Sequence, residues 1–182
     1  MEHEPSPAPV AAYVALGANL DDPAAQVRAG LRALAALPET RLVRRSSLYR
    51  SPPEGGAEQP DYVNAVAALE TRLAPRALLE RLLEIERAHG RVRSARNAPR
   101  RLDLDLLLYG ALELEEPDLA IPHPRMHRRA FVLVPLAEIA PEARVPGHGR
   151  AAELAQRVDA SGLVRLEEAS GADEDARAGA GT

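Results

Sequence analysis

The chain has 182 residues, 46% of them hydrophobic and 27% charged, with a formal net charge of -4 and no cysteine. That is ordinary globular usage at a length that fills one core; it excludes a disulfide framework, a thiolate metal site and a cysteine nucleophile, and argues against a protein that coats nucleic acid with global positive charge. No apolar run reaches the ~20 residues of a membrane helix, and Met1 to Pro9 carries acids and prolines where a signal peptide has basic and apolar regions, so a cytoplasmic protein with no membrane partner is expected.

Residues 1–9 and 170–182, rich in Pro/Ala and Gly/Ala/Asp, are expected to be disordered tails around a single domain over 10–169. Val10 to Leu16 is a short apolar run ending at Gly17 and reads as a buried strand. Asp22-Pro23 offers an N-cap followed by proline at the first helical position; Val27, Leu31 and Leu34 recur at helical spacing, and Pro38 closes that helix. Arg41 to Arg50 reads as a second strand. Ser51 to Pro60, with three prolines and two glycines, reads as a loop long enough to be functional. Asp61 to Arg72 reads as a third strand with Tyr62, Asn64 and Val66 on one face.

Pro75 opens a second helix, with Leu78, Leu82 and Ile85 in one row and Gly90 at its end. A basic loop follows, then a strand from Leu102. The succession is β-α-β-β-α-β, the ferredoxin-like split unit of the α+β class, with helices on one face of an antiparallel sheet. Additional C-terminal elements are expected: a small strand at Leu112 to Glu115, a rigid turn at Pro122-His123-Pro124, and a helix within Arg125 to Ile139 broken near Pro135. Ala151 to Val158 reads as one more helix, and Leu163 to Leu166 as a short strand.

The chemistry concentrates at Pro99-Arg100-Arg101-Leu102-Asp103-Leu104-Asp105. Leu and Asp alternate with the period of a strand, so Asp103 and Asp105 point the same way, their Cα atoms roughly 6.5–7 Å apart, while Leu102, Leu104 and Leu106 face a core. Two carboxylates on one face repel each other unless a cation lies between them. Hard oxygen donors favour magnesium over zinc, and two carboxylates can bridge two Mg²⁺ ions about 3.5–4 Å apart to clamp a polyphosphate. The competing reading is a surface strand whose acids merely pair with arginines. Just upstream, Arg91, Arg93, Arg96, Arg100 and Arg101 crowd a segment without acids, and guanidinium forks match phosphate oxygens. Together these residues suggest a nucleoside triphosphate site without a P-loop, since no G-x-x-x-x-G-K-[ST] occurs in the chain.

Six segments in order resemble one family. They are Ala15-Leu16-Gly17-Ala18-Asn19-Leu20, Tyr49-Arg50-Ser51-Pro52-Pro53, Gln59-Pro60-Asp61-Tyr62-Val63-Asn64-Ala65, Gly90-Arg91-Val92-Arg93, the Asp-x-Asp strand with its leading arginines, and Ile121-Pro122-His123-Pro124-Arg125-Met126 with Arg129-Ala130-Phe131. The family is 6-hydroxymethyl-7,8-dihydropterin pyrophosphokinase. The resemblance implies transfer of pyrophosphate from ATP to the hydroxymethyl group of a reduced pterin, releasing AMP, in folate biosynthesis, by a monomeric enzyme using two Mg²⁺ ions.

On that resemblance Asp103 and Asp105 hold the metal, and Arg91 and Arg100 neutralise charge on the phosphates. Glu86, Arg93, Leu106, His123 and Arg129 contact ATP. Tyr62 and Phe131 sandwich the pterin, Asn64 reads its edge, and Ser51, Pro52 and Glu54 lie in the loop beside it. From the residues alone Phe131, in Phe-Val-Leu-Val, reads as plain core, and Glu86 reads equally as the partner of a nearby arginine. The chain departs from the family pattern in a short loop between Arg93 and Pro99 that lacks tryptophan.

Other readings make different demands. An RNA-binding ferredoxin-like module needs aromatics exposed on its central strands, and only Tyr62 and Tyr109 are plausibly placed, so no nucleic-acid partner is expected. A non-catalytic nucleotide or pterin sensor would explain a pocket but not the aspartate pair. A zinc site from His123-x-x-x-His127 needs a helix that Pro122 and Pro124 prevent.

Overall fold

A computed structural model of the chain describes residues 6–56, 58–90 and 101–167. The arginine-rich loop and most of both expected tails lie outside these residues. Among the described residues the protein is a mixed α/β structure, with a central antiparallel sheet and four α-helices.

Strand β1 (Val10–Ala18) is an interior strand of the sheet, and Ala12, Val14, Leu16 and Ala18 alternate into the core on one face. Helix α1 (Pro23–Ala35) starts where the sequence places it: Pro23 occupies the first turn, and the Asp22 carboxylate accepts from the Ala25 N–H at 3.3 Å. The next strand segment is two pieces, β2 (Thr40–Arg45) and β3 (Tyr49–Ser51), both pairing with β4 (Tyr62–Thr71). Ser46 interrupts them because its Oγ takes the Val66 N–H at 2.9 Å, standing in for a ladder carbonyl. Helix α2 (Pro75–Ala88) leads to Gly90, whose φ of 77° is the left-handed turn that follows a helix end. Strand β5 (Asp103–Tyr109) then lies antiparallel beside β1 at the edge of the sheet.

Helices α1 and α2 share one face of the sheet, burying Leu31, Leu34, Leu78 and Leu82 against Val14, Leu16, Leu69, Leu104 and Leu106. Gly30 allows α1 to lie close, since a Cβ there would stand 2.9 Å from Leu16 Cδ2. The expectation that the helices share one face covers only this pair. Helix α3 (Ala130–Ile139) packs on the opposite face, where Val132, Leu136 and Ile139 meet Val66, Leu107 and Leu108. It runs unbroken through Pro135. The missing N–H costs one helical bond, but Val132, Leu133, Pro135, Leu136 and Ile139 are all buried, and that apolar packing holds the helix together.

A register shift opposite Tyr13 and Val14 makes Leu107 the extra residue of a bulge in β5, and both Leu107 and Leu108 turn toward α3. The expected small strand forms two residues later, as β6 (Leu114–Glu116) paired with β7 (Leu119–Ile121). A further two-stranded ladder, β8 (Arg144–Val145) with β9 (Gly149–Arg150), precedes α4 (Ala151–Arg157). The chain returns as β10 (Val164–Arg165) beside β3, giving the order β10-β3-β4-β1-β5 with β2 also on β4. No helix among the described residues is long and apolar enough to cross a membrane.

Candidate active site

Strand register assembles the site. Gly17 on β1 pairs with Asn64 on β4 and with Asp103 on β5; two residues earlier, Ala15 pairs with Val66 and Asp105. Residues opposite one another, or two apart, share a face. Asn64, Asp103 and Asp105 therefore stand on the side of the sheet that α3 covers farther along. Helix α3 begins only at Ala130, and the uncovered end of the sheet is a cavity of about 420 Å³. Both aspartates line it, while Leu102, Leu104 and Leu106 are buried beneath α1 and α2.

One wall carries the groups suited to a flat heteroaromatic ring. Tyr62 and Phe131 line it, as do Ser51, Pro52 and Glu54 from the loop after β3. Phe131 both borders the cavity and packs against the α3 core, so its two readings from sequence are compatible. Asn64 is 4% exposed, and its Nδ2 donates to Ser51 Oγ at 2.8 Å, which fixes the amide plane. The floor between Asn64 and Asp103 is Gly17, where a Cβ would come 3.4 Å from Asn64 Oδ1 and 3.9 Å from Tyr62 Cδ1.

The other wall is cationic and imidazole. His123 is held by its own backbone: its N–H donates to Leu107 O at 2.9 Å, so the bulge carbonyl in β5 anchors the turn. The Arg125 N–H donates to His123 Nδ1 at 3.2 Å. Burial first, then the Arg129 and Arg125 guanidiniums, push the His123 imidazole down to about 4, against an opposing pull from Asp103. At neutral pH the ring is uncharged, and with Nδ1 accepting, its proton sits on Nε2. Arg129 pairs with Glu54 across the cavity, Nε to Oε1 and Nη2 to Oε2 both at 3.2 Å, and its guanidinium carbon lies 5.5 Å from the Phe131 ring centre.

Two expected ATP contacts stand apart from this space. Leu106 is buried in the α1/α2 core, so any contact it makes with a ligand in the cavity is through its backbone. Glu86 is 1% exposed and does not line the cavity; its Oε1 accepts from the Leu104 N–H at 2.8 Å. Arg91, Arg93 and Arg100 lie outside the described residues. Sequence reasoning missed Gln59 and Arg125 as lining residues. Gln59 Oε1 accepts from Asn19 Nδ2 at 3.1 Å, tying the loop after β1 to the loop after β3, a long-range pairing that no periodicity carries. Arg125 had one signal, its place two residues past His123 in a proline-stiffened turn.

The His123-x-x-x-His127 pair does not form. His127 stacks instead on His148, ring centres 3.8 Å apart and planes 7° from parallel. Among the described residues no group of three or more His, Cys, Asp or Glu is placed to hold a metal. The Asp103 and Asp105 carboxylates nevertheless suit Mg²⁺, which binds through one or two carboxylates and takes its remaining oxygens from water and substrate phosphates.

Comparison with known proteins points the same way. The profile of the family described as 7,8-dihydro-6-hydroxymethylpterin-pyrophosphokinase matches residues 13–141. The chain is 52% identical over 154 residues to the 2-amino-4-hydroxy-6-hydroxymethyldihydropteridine pyrophosphokinase of Pseudomonas aeruginosa, covering 85% of this chain and 95% of that protein. It is 46% identical over 157 residues to the protein of the same name from Haemophilus influenzae, covering 86% and 98%. The fold is similar to that of a crystal structure of Plasmodium falciparum HPPK-DHPS with pteroate, with a TM-score of 0.65 at 13% identity. That match covers 81% of this chain and 42% of the larger one.

Proposed function

This chain belongs to the 7,8-dihydro-6-hydroxymethylpterin-pyrophosphokinase family, and from that membership we propose how its cavity works. The protein transfers pyrophosphate from ATP to the hydroxymethyl group of 6-hydroxymethyl-7,8-dihydropterin, giving the pterin diphosphate and AMP, a step of folate biosynthesis. The observation that carries the reading is that Asp103 and Asp105 border the same cavity as Tyr62, Asn64 and Phe131. A polyphosphate and a flat ring can therefore meet in one space.

Asp103 and Asp105 are the residues that would hold two Mg²⁺ ions. When bound, such ions screen the ATP phosphates and make a neighbouring hydroxyl more acidic. Tyr62 and Phe131 take the two faces of the pterin, Asn64 reads its edge in the plane that Ser51 Oγ sets, and Ser51, Pro52 and Glu54 offer backbone groups beside it. His123, neutral and anchored on Leu107, presents Nε2–H as a donor to the nucleotide. Arg91, Arg93, Arg100 and Arg129 supply positive charge around the phosphates. The hydroxymethyl oxygen gives up its proton to water and forms its bond to the β-phosphorus as that atom's bond to the oxygen bridging toward the α-phosphorus breaks. AMP leaves with the bridging oxygen.

The finer reading of the fold is ferredoxin-like. The succession β-α-β-β-α-β supports it, as does a sheet order that places β1 between β5 and β4 with β2 and β3 beyond. We read residues 10–169 as one catalytic domain acting as a cytoplasmic monomer on small-molecule substrates.

The test is AMP release in the presence of Mg²⁺, ATP and the hydroxymethyl pterin. The expected result is one AMP per pterin consumed, lost on adding EDTA. Binding of both ligands with no AMP above the ATP-only background would make the protein a sensor and overturn the reading.

A further inference from the structure

Among the described residues, the cavity is lined by charged side chains of both signs. Glu54, Asp103 and Asp105 line it against Arg125 and Arg129. Arg129 is already committed, holding Glu54 through both of its 3.2 Å contacts. Two further arginines near lining residues are also paired: Arg50, beside Ser51, with Asp61 at 3.8 Å, and Arg101, two residues before Asp103, with Asp21 at 2.7 Å. Arg125 differs. Among the described residues no carboxylate lies within ion-pair distance of it, and its side chain is exposed at the cavity wall.

Its backbone, by contrast, is held. The Arg125 N–H donates to His123 Nδ1, and His123 N–H donates to Leu107 O, so the turn that presents Arg125 is bonded to the strand that carries Asp103 and Asp105. A solvated surface arginine needs no such mounting. Here a guanidinium with no carboxylate partner among the described residues is presented from the same turn as the uncharged imidazole donor, in the cavity that the aspartates line.

We propose that Arg125 is a further substrate-binding residue, which takes the polyphosphate of the nucleotide from the His123 side of the cavity while Arg129 stays bound to Glu54. This rests on the pyrophosphokinase reading and names a residue within it. The guanidinium fork matches two phosphate oxygens at once, which an ammonium does not. Its position past a proline-bounded turn also limits the freedom lost on binding.

The experiment is calorimetric titration of the intact protein with Mg²⁺ and α,β-methylene-ATP, and separately with the hydroxymethyl pterin. Arg125→Ala is compared with Arg28→Ala, which removes the same charge from helix α1 on the other face of the sheet. Arg125→Ala is expected to weaken binding of the nucleotide analogue roughly 10- to 100-fold, the range of a charge-assisted hydrogen bond, with pterin binding within about twofold of wild type. Arg125→Lys recovers part of the loss by keeping charge without the fork, and serves as the comparison if the alanine variant does not fold. Analogue affinity of Arg125→Ala equal to that of Arg28→Ala overturns the proposal. Wild-type protein that binds neither ligand overturns the parent reading, and this one with it.

Discussion

The carboxylate of Glu86 accepts a hydrogen bond from the backbone N–H of Leu104 at 2.8 Å. Leu104 sits between Asp103 and Asp105 on β5, the strand at the edge of the sheet. An edge strand presents unpaired backbone groups, and here a buried acid from α2 takes the one between the two aspartates. Glu86→Ala leaves that N–H without its acceptor and is expected to cost about 1–3 kcal/mol of stability. Glu86→Gln keeps a carbonyl oxygen and costs less. Urea midpoints of the three proteins check the order, and equal midpoints for wild type and the alanine variant would dismiss the clamp.

Asp103→Ala and Asp105→Ala act on turnover and not on folding. Both side chains are half-buried at the border of open space, where solvent screens charge interactions and they stabilise little, yet each substitution removes a carboxylate from the proposed metal pair. AMP formation is expected to fall by about 10²-fold or more, with an unchanged far-ultraviolet dichroism spectrum. Normal turnover in either variant would contradict the metal role.

Stability should decline in mild acid partly through His123. Its folded value of about 4 lies below the ordinary 6.5, so between those values the unfolded chain binds the proton and the folded one does not. The contribution is complete above about 6.5 and is lost as pH falls toward about 4. Wild type is expected to lose more of its urea midpoint between pH 7 and pH 4.5 than His123→Gln does. Parallel losses in the two proteins would assign acid sensitivity to other groups.

Gly17→Val tests the cavity floor. A Cβ at this position already reaches contact distance from Asn64 Oδ1 and Tyr62 Cδ1, and the further methyls press on both. Overpacking of about 1–3 kcal/mol should appear as weaker pterin binding, with nucleotide affinity changed far less. Pterin affinity equal to wild type would mean that the ring does not rest over Gly17.

Much of this was legible because local signals agreed with one another. Asp22-Pro23 marks the start of α1, Gly90 follows the end of α2, and the Leu/Asp alternation puts both aspartates on one face. The layer that α3 joins was not legible. Phe131 to Ile139 is apolar on nearly all sides, and periodicity shows that such a segment is buried without showing against what. Glu86 and Leu106 could not be separated from the cavity by motif, because motif order says nothing of which side of β5 a residue approaches. Arg125 was overlooked because its place on the cavity wall, out of reach of any carboxylate among the described residues, is visible only in three dimensions.

The bulge at Leu107 makes β5 two half-strands in opposite phase. Asp103 and Asp105 turn to the α3 side by the first phase, and Leu108 turns there by the second, so the strand passes from reactive surface to packed core without crossing the sheet. Without the bulge the same seven residues would alternate strictly and turn Leu108 toward α1 and α2, Tyr109 toward α3, whereas deleting Leu107 leaves both on the faces they now occupy. The same deletion would remove the carbonyl on which His123 hangs. One surplus residue thus lets the two ends of a seven-residue strand obey different masters.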